Sequence, residues 1–310
     1  MIWLELATEL DEFLEGAGAG TRFGEQLATV GTLIALPATV VALGVLVFIL
    51  AVHDGGIAEL RAIWRLEAIC GVLLMVGGLV GVYGAALILG SDWTGELLGG
   101  TARAPSLRTA GGISMAVGFA AGSHSERTGL HGALWIGVVG LAICATAVVS
   151  TGHTVTQGNL LLHVAMNVIH LTAAAIWVGG LVSLILMARI RSRQPNAGSM
   201  APQVVRFSGV ATLAIVAVAA AGIGMSLTIV DGLGDYLGTA WGRILLVKVA
   251  LVGGAVGIGA YNHFVVVPAL ETDPAHPIYL PRSRSTITAE VVILLAVAVI
   301  TGFLTDTPIN

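Results

Sequence analysis

Eight stretches of about 20 apolar residues, each bounded by charges or turn residues, limit this chain more than any other feature of it. They run approximately over 27–52, 66–89, 109–122, 130–149, 160–188, 208–230, 244–267 and 287–304, the third being short and rich in glycine. A bilayer core of about 30 Å is crossed by about 20 helical residues, and lipid offers no partner for a free backbone N–H or C=O. The fold class expected is therefore all-α, a polytopic transmembrane helical bundle of about eight spans. At 10% charged residues the chain stands far from the roughly 25% of a soluble domain. That excludes a basic nucleic-acid face and most soluble enzyme classes. Cys70 and Cys144 both fall in apolar runs and read as free thiols.

Arginine placement sets the expected orientation, because short cytoplasmic loops carry an excess of basic residues. The loop with Arg189, Arg191, Arg193 and Arg206 reads as cytoplasmic, and alternation then puts Arg61 with Arg65, Arg127, and Arg282 with Arg284 inside as well. Arg103 and Arg108 dilute the pattern. An even span count leaves both termini extracytoplasmic, in a multi-pass protein of the cytoplasmic membrane. Residues 1–26 start without a basic stretch and carry Glu5, Glu9, Asp11, Glu12 and Glu15, so no signal peptide is expected. Ile2, Trp3, Leu6, Leu10, Phe13 and Leu14 recur at helical spacing, which predicts an amphipathic extracytoplasmic segment. The chain thus divides into three parts: residues 1–26, a four-helix membrane part over 27–150, and a second four-helix membrane domain over 151–310.

Ionisable side chains inside a bilayer are costly and tend to mark function. The fifth run places His163, Met166, Asn167 and His170 within roughly 100° of helical arc. His163 lies about 5 Å and His170 about 15 Å from the outer end at 1.5 Å per residue. His153 hangs over the same mouth, and Met225 and Cys144 fall at intermediate depth on neighbouring runs. Imidazole, thioether and thiolate suit copper, Cu(I) above Cu(II), and the want of clustered carboxylates disfavours Mg²⁺ and Ca²⁺. The expected metal ligands are His153, His163 and His170, with Met166, Asn167, Met225 and Cys144 as further lining. A second group lies toward the cytoplasmic ends, where His263, Glu290 and His131 form a possible inner site and His53 and His124 stand nearby. Glu290, about one turn into the last run, is expected to pair with His263 or a backbone donor. Lys248, near the outer end of the seventh run, is expected to snorkel outward.

At these residues the sequence resembles the CopD family of copper resistance proteins, eight-helix proteins of the cytoplasmic membrane. The matching stretches are Ser150-Thr151-Gly152-His153, the block from His170 to Leu181 with Trp177 inside it, and Arg206-Phe207-Ser208. Further on come Thr239 to Lys248 with Arg243, then Glu290 and Pro308. The likeness covers about Val148 to the C-terminus. Asn167 stands where the family commonly has an acidic residue, and His263 follows Asn262 where it commonly has Arg. The resemblance implies copper passage across the cytoplasmic membrane, often inward from an extracytoplasmic carrier of the CopC type, with Trp177, Arg243 and Lys248 structural or coupling.

Two other readings compete. A membrane cytochrome or quinone-reactive protein would hold haem b through histidines at matching depth. An assembly or sensor protein would bind copper without moving it. No enzyme is expected, since neither a paired intramembrane carboxylate nor a His-Glu-x-x-His motif is present. Nothing resembling a nucleotide-binding loop occurs, and the residues say nothing of oligomeric state.

Overall fold

The computed structural model describes residues 2–54, 56–124, 131–149, 160–194, 198–229 and 234–306. Every regular element among them is a helix. In order these are α1 (Ile2–Ala51), α2 (Ile57–Leu89), α3 (Trp93–Gly99), α4 (Arg103–His124), α5 (His131–Val149) and α6 (Leu160–Arg191). Then come α7 (Ala201–Ile229), α8 (Asp235–Gly238), α9 (Ala240–Tyr261), a π-turn (Asn262–Val266), α10 (Val267–Thr272) and α11 (Tyr279–Asp306). The chain is thus a polytopic helical bundle.

Over their described residues, and but for Val52, the eight apolar runs are helical, and several of the helices extend past the runs. Six are long and apolar enough to cross a membrane: Gly20–Ala51, Ile57–Leu89, Val164–Arg191, Ala201–Leu227, Ala240–Thr272 and Tyr279–Leu304. The stretch Gly132–Val148 in α5 is a shorter apolar helix. No break separates the N-terminal segment from the first span, because α1 runs unbroken from Ile2 through Pro37 to Ala51.

Lipid tails are as apolar as leucine, so helices in a bilayer associate through close packing rather than through a hydrophobic drive. Glycine supplies the approach here. A Cβ on Gly31 of α1 would lie 2.6 Å from the Gly77 carbonyl oxygen of α2, and one on Gly77 would lie 2.7 Å from that of Gly31. The α1–α6 contact repeats the device, since a Cβ on Gly179 would come within 2.7 Å of Gly44. Through such seams α1, α2, α4 and α5 pack in sequence, α6 joins at α1, and α7 joins at α6. The core runs between them, from Val45 and Phe48 through Leu74 and Met115 to Trp177, Leu184 and Leu294.

The far side is looser. α9 packs chiefly on α11, and Gly253, Gly254 and Gly257 have no atom within 4 Å of where a Cβ would stand. The face of α9 that carries these glycines is therefore open.

Candidate functional site

Two polar levels lie along one line of α6. His170 and Trp177 are seven residues apart, which returns a helix to within about 20° of the same direction and about 10 Å further along. Met166 begins the line one turn before His170.

At the first level His170 is half-buried against α7, its Nδ1 3.1 Å from the Val218 carbonyl oxygen. A carbonyl only accepts, so Nδ1 carries the hydrogen and donates it. The Nε2 lone pair is then the one left for a ligand, as in metal sites where a backbone carbonyl fixes the imidazole tautomer. Gly222 makes room for the ring: a Cβ there would sit 3.3 Å from His170 Cε1. Met166 packs at Gly224 in the same way, its Sδ 2.8 Å from the corresponding point. Imidazole and thioether therefore meet the same stretch of α7, one turn apart. Lys248 is half-buried on α9.

At the second level Glu290 of α11 is 2% exposed and accepts a hydrogen bond from Trp177 Nε1 at 2.6 Å. Asn262 Nδ2 reaches its other oxygen at 3.5 Å, and Asn262 Oδ1 in turn accepts from Thr286 Oγ1 at 2.6 Å. Gly259 and Ile215 close around the carboxyl: a Cβ on Gly259 would be 3.4 Å from Glu290 Oε1 and 3.8 Å from Ile215 Cδ1. Ile215 lies about one turn from Val218, so α7 links the two levels.

Asn262 owes its position to the π-turn. Pro268 has no N–H to return to the Phe264 carbonyl, and just before it the Val267 N–H bonds Asn262 O five residues back. The wider turn gives Asn262 to Glu290 and His263 to α7, where His263 Nδ1 lies 2.8 Å from Ser208 Oγ. The partners of Glu290 are thus the Trp177 indole and the Asn262 amide.

The other residues singled out in the sequence are placed as follows by the fold. Cys144 is buried between α5 and α4, its Sγ 3.7 Å from the Arg108 carbonyl oxygen. Cys70 is buried on α2. Asn167 and Met225 are half-buried on α6 and α7. Arg243 is exposed and donates to Leu237 O at 3.2 Å. His124 Nδ1 stays at its own helix end, 2.9 Å from Ala120 O. His153 lies outside the described residues, as do the side chains of His163 and His131. Among the described residues no three of His, Cys, Asp or Glu converge as a metal cluster would.

At the arginine-rich end, buried Glu59 receives Arg191 Nε at 2.5 Å and Nη2 at 3.3 Å, while Arg191 Nη1 holds Ser199 O at 2.8 Å and Gln203 Oε1 at 3.1 Å. Gln203 donates to Asp54, and Arg206 pairs with Asp54 at 2.9 Å. Neither Glu59 nor Gln203 stood out in the sequence, because loop charges carry no sign of whom they meet.

Residues 201–304, which hold Val218, Asn262 and Glu290, match the family described as Copper resistance protein D. The chain is 33% identical over 116 residues to the Copper transport protein CutJ of Bacillus subtilis (strain 168), covering 37% of this chain and 21% of that one. It is 34% identical over 125 residues to the Inner membrane protein YebZ of Escherichia coli (strain K12), covering 39% of this chain and 42% of that one. The likeness thus spans well under half the length of either relative. No solved structure matches the chain. The chain is a multi-pass protein of the cytoplasmic membrane whose residues 201–304 are similar to the copper resistance protein D family.

Proposed function

We propose that this chain moves copper across the cytoplasmic membrane along the α6 line, with copper as cargo and Cu(I) as the favoured form. The observation that carries the reading is the free Nε2 of His170, fixed by Val218 O, in line with the Trp177–Glu290 pair and with the family match beginning at the next helix. Met166 adds a soft thioether, which suits Cu(I). A conducting site must bind well enough to receive an ion and weakly enough to release it. Weak successive ligands along the line would act toward release.

In this reading the start of α6, with His153 and His163, faces outward and receives copper from an extracytoplasmic carrier of the CopC type. His170 holds the ion near mid-depth, and the Glu290 level, with His263 and His131 beyond it, passes the ion inward. Arg191 and its loop then mark the cytoplasmic face, in keeping with the arginine bias.

The test is the His170→Ala variant, measured for Cu(I) bound by purified protein and for copper taken up by proteoliposomes. Loss of one ligand is expected to lower both about tenfold. Unchanged binding and uptake would overturn the reading. A Soret band lost in the variant would replace it with the cytochrome reading, and intact binding without flux would replace it with an assembly or sensor role.

A further inference from the structure

Glu67 lies on α2, outside the family match and away from the α6 line. It stands 10 residues into a 33-residue helix, about 15 Å from its start. Its side chain is 0% exposed, and among the described residues neither carboxyl oxygen has a hydrogen-bond partner.

Among the described residues nothing around it supplies a counter-charge. The elements packed on α2 are α1, α3, α4 and α6. α1 carries no ionisable side chain between Glu25 and His53, and α4 none between Arg108 and His124. α3 carries Glu96, at the other end of α2. α6 offers His163 and His170 in its first half and Arg189 and Arg191 at its end, where Arg191 is engaged with Glu59. On α2 itself Glu59, Arg61 and Arg65 precede Glu67 by half a turn to two turns, and the Cys70 thiol lies one turn further on.

A bare carboxylate so placed would cost several kcal/mol, and a single bound cation removes that cost. The smallest such cation needs no further ligand. We propose that Glu67 is a proton-binding site set inside the N-terminal helices.

The packing fixes the level of Glu67 against α4. Trp64 stacks on Phe119 of α4 at 5.4 Å and 4°, and a Cβ on Gly71 would stand 2.5 Å from the Ala116 nitrogen. Glu67 therefore lies between those two levels of α4. One turn past Phe119 toward the arginine-rich end comes buried Ser123, its hydroxyl 3.1 Å from His124 Nδ1. A hydroxyl and an imidazole thus occupy α4 between the level of Glu67 and that helix end. This site stands whether or not copper is the cargo.

Infrared spectra of the lipid-reconstituted protein test it. The wild type is expected to show the C=O band of a protonated carboxylic acid, shifted down after exchange into D₂O. Glu67→Gln should remove that contribution, Glu290→Gln should leave it, and Glu67→Asp should restore a band at a displaced position. If Glu67→Gln fails to keep wild-type helix content by circular dichroism, ¹³C-glutamate labelling of the Glu290→Gln protein decides: an isotope shift of the band supports the site. A band unchanged in folded Glu67→Gln, no isotope shift, or a Glu67 band that never responds to D₂O would each overturn the proposal.

Discussion

A histidine at a helix end shows how far a single residue's environment sets its chemistry. His53 stands just after α1, outside the span, its side chain buried and its Nε2 3.6 Å from Glu59 Oε2, with no hydrogen bond to that nitrogen. Burial pushes its pKa below the ordinary imidazole value and outweighs the upward pull of Glu59 and Asp54, with the Arg191 charge adding to the downward side. The folded chain therefore takes up this proton less readily than the unfolded chain. Stability from this group is whole above the unfolded value of about 6.5 and falls as the pH drops from there through the lowered folded value. Thermal melts in detergent should show the wild type losing more between about pH 7 and 5.5 than His53→Gln does. Equal losses would mean that the buried ring is not the cause. From the sequence His53 is visible only as a histidine near an interface, since neither its burial nor the approach of Arg191, more than a hundred positions away, can be read there.

Elements are more legible than residues. Hydrophobic length finds helix at each of the eight runs over their described residues, but it misjudges where helices begin. The second run starts at Leu66, which makes Glu67 look like an edge residue, whereas α2 starts at Ile57 and carries Glu67 into the core. The π-turn leaves a fainter trace, a proline near the end of the seventh run. Pro268→Ala returns an N–H to the helix interior, which favours plain α-helix by about 1–3 kcal/mol. Closing the wide turn rotates the downstream helix by one residue, about 100°. Asn262 and His263 cannot then both keep Glu290 and Ser208 while α10 stays packed on α7. We expect Pro268→Ala to keep or raise the melting temperature while copper uptake in proteoliposomes falls several-fold. Uptake at the wild-type level would show that the π-turn serves packing alone.

The whole molecule is held at its arginine-rich end by contacts that no hydropathy pattern could announce. Glu59 opens α2, Arg191 closes α6, and 132 positions separate them along the chain, yet Glu59 accepts two hydrogen bonds from that guanidinium. Ser199 carries the link to the turn before α11 by donating to Pro274 O at 2.5 Å. The ends of three helical hairpins are thereby joined, and the N-terminal helices are tied to the family-matched helices beyond the α1–α6 seam. The Arg206–Asp54 pair of the same cluster has both side chains over a third exposed, so its loss should cost under about 1 kcal/mol. Glu59 and Arg191 are 5% and 11% exposed, and removing one partner leaves a charge stranded, at a cost of about 3–5 kcal/mol. Arg191→Ala should therefore lower the melting temperature in detergent far more than Arg206→Ala does. Removing both charges, as Glu59→Gln with Arg191→Met, should recover much of that loss, because the double variant strands no charge and keeps much of the side-chain volume. If the double variant melts as low as the sum of its single changes, the two side chains act independently and the clamp between the halves must lie in the glycine seams instead.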